Sequence, residues 1–328
     1  MKLKKYLSLL LTLSIPLSVI AGCSSSANSS EQVVIYSNAD EEAINAIENT
    51  LNSNGYEGKY IIQTYGTSEL GGKLIAEGKN LEADMVTMST FYLQTAQDKN
   101  NMFKKLDFDV NTIEPVPDYT APITSQEGAI ILNTELMKSE GLTKPKSLKD
   151  LAKPEYKGQL AVTDIKSSST AWLMIQALVD AYGDDAEKVL SDIYKNADSH
   201  IETSGSGPLK LCRAGEVAIG FGLRHQAVKD KADGLPIDYV DPTEGNFSLT
   251  ESVAVLDKGE KSNPLAMEMA ECIIKNARKE LIKTYPNPLY NGETADKSNE
   301  STYPKKFSEP LTLELFEKHQ QLSENAKN

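Results

Sequence analysis

The first half of the chain alternates short apolar runs with longer stretches in which apolar residues recur every three or four positions. The β-branched run at 32–36 predicts a strand, and the apolar positions within 39–54 have the spacing of a helix. Two further strands, at 59–64 and 84–88, each precede another helical stretch. Strands that alternate with helices in this way predict a parallel sheet covered by helices.

The second half continues the alternation, with strands predicted at 128–133, 160–163, 217–223, 238–240 and 252–256, and helices at 170–182, 208–214, 267–283 and 311–324. We therefore predict an α/β fold of two lobes with a ligand cleft between them. The chain is expected to cross between the lobes near 123–128 and 246–252. The predicted division is lobe 1 at 32–126 plus 248–306, lobe 2 at 127–247, and a C-terminal helix at 307–328.

The N-terminus resembles the signal sequence of a bacterial lipoprotein. Three lysines among the first five residues precede the apolar run 6–20, and Ala-Gly-Cys follows, ending at Cys23. This order predicts a signal peptide at 1–22, a lipidated Cys23 and a flexible polar tether at 23–31. We therefore expect a domain anchored by lipid to the extracytoplasmic face of the cell membrane.

Charge and cysteine content narrow the classes of partner. The chain has 34 basic and 47 acidic residues, a net charge of −13, which becomes −16 once the three lysines of the signal peptide are removed. So acidic a chain is not expected to bind nucleic acid or anionic lipid through a basic surface. Cys212 and Cys272 are too few for a disulfide framework, and they either pair or remain small buried thiols.

Polar loops rich in Ser, Thr and Gly follow the predicted strands. In an open parallel sheet such loops meet at one edge and lead into helix N-termini, whose unpaired amides suit oxyanions. The same residues could serve only as helix caps. The candidate ligand-binding residues in these loops are Ser37, Asn38, Asp40, Thr67, Ser68, Thr90, Ser125, Ser168, Ser169, Thr170, Ser204, Gly205 and Ser206.

Three charged residues have two possible roles each. Arg224 follows a predicted strand, where it could either contact the ligand or form a surface ion pair. Asp40 and Glu251 could face the cleft or be solvated like most acidic side chains.

Sequence patterns typical of catalysis are missing. The three histidines, His200, His225 and His319, include no pair with zinc-ligand spacing, so no metal site is predicted. The chain has no G-x-S-x-G motif and no cysteine beside a plausible histidine partner. We therefore expect binding without turnover, with no catalytic residue and no cofactor.

Several segments resemble the extracellular solute-binding proteins of ABC importers, in the cluster that includes ferric-ion, 2-aminoethylphosphonate and sugar-phosphate binders. They are VVIYSNADEE, SSSTAW, TSGSGPLKLCRAGEVAIGFGLRHQAV and ESVAVLDKGEKSNPLAMEMAECII. The resemblance implies a type II periplasmic-binding-protein fold, in which two lobes, each a mainly parallel sheet flanked by helices, close over a solute. It also implies an ABC permease and ATPase as partners.

The resemblance also bears on the solute. Ferric-ion members carry two adjacent tyrosines in the second lobe, and this chain has no adjacent tyrosine pair. Aminoethylphosphonate binders have a serine-glycine-serine loop like that at 204–206, which implies phosphonate oxygens on Ser168, Ser169, Thr170, Ser204 and Ser206. Arg224 would then supply counter-charge, and Asp40 or Glu251 would face the ammonium group. The alternatives are a ferric-ion receptor, a surface phosphoesterase, and a sensor or adhesin on the same fold.

Overall fold

The structure is a computed structural model that describes residues 32–328. The predicted signal peptide, the lipidated Cys23 and the tether lie outside the described residues. Among residues 32–328, no helix is long and apolar enough to cross a membrane.

Ten strands form a single path of hydrogen-bonded neighbours, in the order β2-β1-β3-β9-β4-β7-β5-β6, with β10 beside β9 and β8 beside β4. The strands are β1 (Val33–Ser37), β2 (Tyr60–Thr64), β3 (Met85–Ser89), β4 (Ala121–Asn133), β5 (Leu160–Thr163), β6 (Ile201–Glu202), β7 (Ile219–Leu223), β8 (Ile237–Val240), β9 (Asn246–Val255) and β10 (Pro304–Lys305).

The sheet has two parallel parts joined by an antiparallel centre. Strands β1 to β3 are mutually parallel and form the first strand group. Strands β5 to β7 are likewise parallel and form the second strand group. Between them, β4 and β9 run antiparallel to each other and to the strands beside them. The predicted α/β fold with mainly parallel lobes is confirmed, and its central pair is antiparallel.

Strands β4 and β9 are longer than their sequence patterns predicted. The predicted strands at 128–133 and 252–256 are only the apolar ends of two strands that continue through the expected crossings. The polar segment around Gln126 remains extended because it pairs with β9, where Gln126 lies opposite Leu249. Backbone hydrogen bonds across the pair therefore maintain strand structure where the side-chain pattern gives no signal.

Helices cover both faces of the sheet. They are α1 (Glu41–Leu51), α2 (Thr67–Glu77), α3 (Thr90–Asn100), α4 (Thr134–Ser139), α5 (Thr170–Tyr182), α6 (Ala186–Ala197), α7 (Gly207–Ala214), α8 (Arg224–Ala232), α9 (Pro264–Cys272), α10 (Arg278–Thr284) and α11 (Leu313–Lys327). A π-helical turn at Ile273–Ala277 joins α9 to α10, which accounts for the single amphipathic helix predicted there.

An aromatic cluster in the core joins α3, α5 and α11. Trp172 of α5 is fully buried, with its ring 4.9 Å from that of Phe91 in α3 and 5.0 Å from that of Phe316 in α11. The indole Nε1 of Trp172 donates a hydrogen bond of 2.6 Å to Nδ1 of His319. The C-terminal helix α11 is thus packed into the core. Cys212 and Cys272 are free, buried thiols.

Candidate functional site

A cavity of about 260 Å³ opens where the carboxyl ends of β1, β2, β5 and β6 lead into helices. Parallel strands bring such ends to one edge of a sheet, and both strand groups contribute to the wall. The residues that line the cavity are Asn38, Ala39, Asp40, Tyr65, Gly66, Thr67, Gln126, Ser167, Ser168, Ser169, Thr170, Thr203, Ser204, Gly205, Ser206, Leu223 and Glu251.

Three helices begin at the cavity wall without a side-chain cap. Helix α2 follows Gly66, α5 follows Ser169 and α7 follows Ser206, and none of these three N-cap residues donates or accepts a side-chain capping bond. Their first-turn amides are therefore not used by their own caps. Helix N-termini carry partial positive charge, and several converging on one space favour an anion.

The two serine-rich loops of the second strand group are packed closely together. Ser168 Oγ lies 3.4 Å from Thr170 Oγ1, and the amide of Ser206 donates to Ser204 Oγ at 3.3 Å. A Cβ atom at Gly205 would lie 2.2 Å from Thr170 Oγ1, well inside contact distance. Glycine at this position therefore allows the loop before α7 to approach the first turn of α5. Hydroxyl groups from both loops are brought to one side of the cavity.

Two acidic side chains line the cavity as well. Glu251 is 6% exposed, and its Oε2 accepts a hydrogen bond of 3.3 Å from Gln126 Nε2. Burial, followed by the negative charge of Asp40, raises the pKa of Glu251 to about 8. Burial also acts to raise the pKa of Asp40, but His225, Tyr285 and the Ala43 amide together lower it. At neutral pH one carboxylate is ionised and the other retains its proton.

Four predicted site residues are not part of the cavity wall. Ser37 is buried, and its Oγ accepts hydrogen bonds from Thr87 and from the Ala39 amide. The hydroxyl of Ser68 donates to the Lys166 carbonyl. Thr90 Oγ1 donates to the Thr250 carbonyl at 3.1 Å, and Ser125 is 5% exposed and lines two other hollows instead.

The position of Arg224 does not support a role as counter-charge to a ligand in the cavity. Its Nε donates to Asp241 Oδ1 at 2.8 Å, and its other nitrogens reach the carbonyls of Asn299 and Glu300. The side chain is buried in these contacts and does not line the cavity. Its ion pair with Asp241 is therefore internal, whereas the sequence interpretation had considered a surface pair.

Some wall residues were not predicted from the sequence. Tyr65, Gly66 and Thr203 belong to polar loops that the strand pattern identified, but they were not singled out. Gln126 lies in the middle of β4, and Leu223 is the last residue of β7. Both reach the cavity only because β4 and β7 pass beneath it, so local sequence carried no signal for them.

The cavity wall combines anion-binding groups with acids and lacks basic side chains. Within residues 32–328, no lysine, arginine, histidine or cysteine lines it. Any negative group must be held by amides and hydroxyls, and any positive group by Asp40 and Glu251. The arrangement suits reversible binding of a small polar solute.

Sequence comparison identifies relatives over most of the chain. Residues 42–279 match the family described as bacterial extracellular solute-binding protein. The spermidine/putrescine-binding periplasmic protein of Escherichia coli is 26% identical over 250 residues, covering 70% of this chain and 70% of that protein. An uncharacterized protein of Haemophilus influenzae is 28% identical over 246 residues, covering 71% and 70% of the two chains.

Solved structures share the fold at lower sequence identity. The periplasmic binding protein AfuA of Actinobacillus pleuropneumoniae, with fructose-6-phosphate bound, is 20% identical with a TM-score of 0.72, over 90% of this chain and 96% of that one. Iron-bound HitA of Pseudomonas aeruginosa is 18% identical with a TM-score of 0.70, over 90% and 99% of the two chains. Both are two-lobed periplasmic binding proteins, which confirms the predicted fold class. The chain belongs to the bacterial extracellular solute-binding protein family and is a solute-binding protein of an ABC importer.

Proposed function

We propose that this protein captures a small phosphonate or phosphate-bearing compound that also carries an amine, with 2-aminoethylphosphonate as the best representative. The observation that carries the proposal is the convergence of three uncapped helix N-termini, those of α2, α5 and α7, on one cavity. A doubly charged oxyanion can accept several hydrogen bonds from such amides and from adjacent serine hydroxyls.

The acidic residues explain why the solute should also carry positive charge. Asp40 and Glu251 line the same cavity as the serine loops, and no basic side chain among the described residues offsets them. A purely anionic solute would meet the ionised Asp40 with no ammonium group between them, which is unfavourable in a partly buried site. An ammonium group would instead pair with both carboxyls and favour the ionised form of Glu251.

The size of the cavity favours a short solute. Its volume of about 260 Å³ is below the range of roughly 300–1,000 Å³ that is typical of pockets for drug-sized ligands. A two-carbon link between phosphorus and nitrogen suits so small a space.

Isothermal titration calorimetry against a panel tests this proposal. The panel is 2-aminoethylphosphonate, ethylphosphonate, inorganic phosphate, fructose-6-phosphate, putrescine and ferric citrate. We expect 2-aminoethylphosphonate to bind most tightly and ethylphosphonate, which lacks the amine, to bind at least about tenfold more weakly, because it loses a charge-assisted contact. Absence of binding by every phosphorus compound would contradict the proposal.

A diamine is the second candidate, because the cavity holds two acids and no basic residue. Spermidine/putrescine-binding periplasmic protein is the name of one relative. A diamine leaves the amides of α5 and α7 unused, so Ser206→Ala should barely change putrescine affinity. The same change should weaken 2-aminoethylphosphonate. A ferric-ion solute would produce a visible charge-transfer colour, and steady hydrolysis of a chromogenic phosphoester would indicate an enzyme.

The delivery of the solute completes the proposal. Solute-binding proteins of this family work with an ABC permease and ATPase outside the cytoplasm. We infer that Cys23 carries a lipid that anchors the protein to the membrane, and that β4 and β9 are the hinge between lobe 1 (32–126 plus 248–306) and lobe 2 (127–247). Incorporation of labelled palmitate that is lost in Cys23→Ala would support the anchor.

A further inference from the structure

Beside the cavity, an imidazole and two carboxylates come together from distant parts of the chain. Asp40 and Glu42 lie at the start of α1, and His225 lies in the first turn of α8. One ligating atom from each of the three lies within 4.8 Å of the others. Sequence spacing could not identify this cluster, because His225 is far along the chain from the two acids.

His225 is buried without a hydrogen-bonding partner for either ring nitrogen. It is 5% exposed, and neither Nδ1 nor Nε2 makes a hydrogen bond. Its Nε2 lies 3.1 Å from Asp40 Oδ2, close enough for an ion pair but without hydrogen-bond geometry, and that oxygen also lacks a partner. Buried polar atoms are satisfied in the great majority of cases, so this pair indicates that a partner is missing.

The remaining atoms of the cluster are oriented by neighbouring groups. Asp40 Oδ1 accepts hydrogen bonds from the Tyr285 hydroxyl and from the Ala43 amide, at 3.1 Å for the amide. Glu42 Oε2 accepts from Gln226 Nε2 at 3.0 Å. Contacts of this kind fix the direction of metal ligands and leave Asp40 Oδ2 pointing towards His225.

We propose that Asp40, Glu42 and His225 bind a divalent transition-metal ion, with Zn²⁺ as the probe. One imidazole and two carboxylates are a common zinc ligand set, with ligand distances of roughly 2.0–2.2 Å. Two such ligands in tetrahedral geometry lie about 3.3 Å apart, close to the 3.1 Å between His225 Nε2 and Asp40 Oδ2. The ion would join α1, which follows a strand of the first strand group, to α8, which follows a strand of the second.

This site is distinct from the proposed solute site and can fail separately. Only Asp40 is common to both, since neither Glu42 nor His225 lines the cavity. Loss of Glu42 should therefore weaken the metal and spare 2-aminoethylphosphonate, whereas Ser206→Ala should do the reverse.

Zinc titration of the untagged full chain, stripped with EDTA, tests the proposal. Calorimetry should show one Zn²⁺ per chain, and Glu42→Gln and His225→Gln should each weaken it at least about tenfold. The matched controls, Glu41→Gln on the exposed neighbour and His200→Gln, should bind as the wild type does. Cobalt substitution should give visible absorption bands typical of nitrogen and oxygen ligands.

The two cluster variants keep the test decisive. His225→Gln changes a buried residue, and circular dichroism will show whether that variant is folded. Glu42→Gln changes a half-buried side chain and retains an oxygen that can accept from Gln226. If Glu42→Gln binds Zn²⁺ as tightly as Glu41→Gln, or if the wild type shows no saturable binding, the proposal is wrong.

Discussion

Gly205 lies where the loop before α7 meets the first turn of α5. Any larger residue would place a Cβ atom 2.2 Å from Thr170 Oγ1 and 3.3 Å from Ser168 Oγ. The hydroxyls displaced would be those that face the cavity, so the cost should appear mainly in binding.

Gly205→Ala should therefore weaken 2-aminoethylphosphonate at least about tenfold, because one misplaced charge-assisted hydrogen bond is worth roughly 1.5–3 kcal/mol. Gly72→Ala is the matched control, since a Cβ atom there meets nothing within 4 Å. Calorimetric titration of both variants measures the difference. Equal affinities would show that the serine loops do not hold the solute.

Glu251 should make the empty protein less stable as pH rises. Its pKa of about 8 exceeds its value in an unfolded chain, so the folded state binds the proton more tightly. The stability this proton contributes is complete below about pH 4.5 and is lost as pH rises through 8.

Replacement of Glu251 by Gln should remove this dependence and raise the free energy of unfolding at pH 8, by on the order of 1–3 kcal/mol. Urea unfolding of both proteins at pH 5 and pH 8 measures it. A wild-type-to-variant difference that is the same at both pH values would contradict the assignment of a buried, protonated Glu251.

At the scale of elements, α11 depends on a neutral histidine for its attachment. His319 is 2% exposed, and its Nδ1 accepts the 2.6 Å hydrogen bond from the Trp172 indole. Burial, together with the charge of Lys318, lowers the pKa of His319 to about 4. Protonation of Nδ1 would eliminate the hydrogen bond and place a charge in the aromatic cluster.

Stability should consequently fall as pH drops from 6.5 towards 4, where the unfolded chain binds a proton that the folded one excludes. The contribution of His319 is on the order of 3 kcal/mol across this range. In His319→Gln this part of the slope should be absent, which urea unfolding monitored by Trp172 fluorescence can measure. Parallel pH profiles for wild type and variant would refute it.

The predictability of each element depended on whether local pattern or tertiary contact maintains it. Helices α1, α2 and α5 have clear apolar periodicity or turn signals, and the sequence predicted them. Helix α8 (RHQAVKDKA) has little apolar periodicity, yet Arg224, His225 and Gln226 are buried in it through polar contacts. Those contacts involve residues far along the chain, so no local pattern could predict them.

The same distinction applies to the candidate site. Residues at the ends of strands, such as Thr67, Ser169 and Ser206, were predictable because sheet topology brings such ends together. Arg224 was placed at the correct edge, but its pairing with Asp241 depends on the packing of β8 and the loop around Asn299. Gln126 was missed because its role follows from the register of β4.

At the scale of the whole molecule, the cavity wall is divided between the two strand groups. Helix α2 belongs to the first group and α5 and α7 to the second, so a bound solute would touch both. Direct contacts also join the two sides, from Ser68 to Lys166 and from Gln226 to Glu42. A solute that bridges both groups should favour the closed arrangement of the lobes.

Small-angle X-ray scattering should therefore show a smaller radius of gyration when 2-aminoethylphosphonate saturates the protein. Gly205→Ala at the same solute concentration should show a smaller change, because less of it is bound. A radius that does not respond to saturating solute in the wild type would argue against hinge closure.

The most direct test is a crystal structure of the protein with 2-aminoethylphosphonate. The account predicts phosphonate density within hydrogen-bonding distance of Ser169, Thr170 and Ser206, with the ammonium nitrogen beside Asp40 and Glu251. A phosphorus peak outside this cavity, or one beside Asp40 with the amine directed at the serine loops, would contradict it.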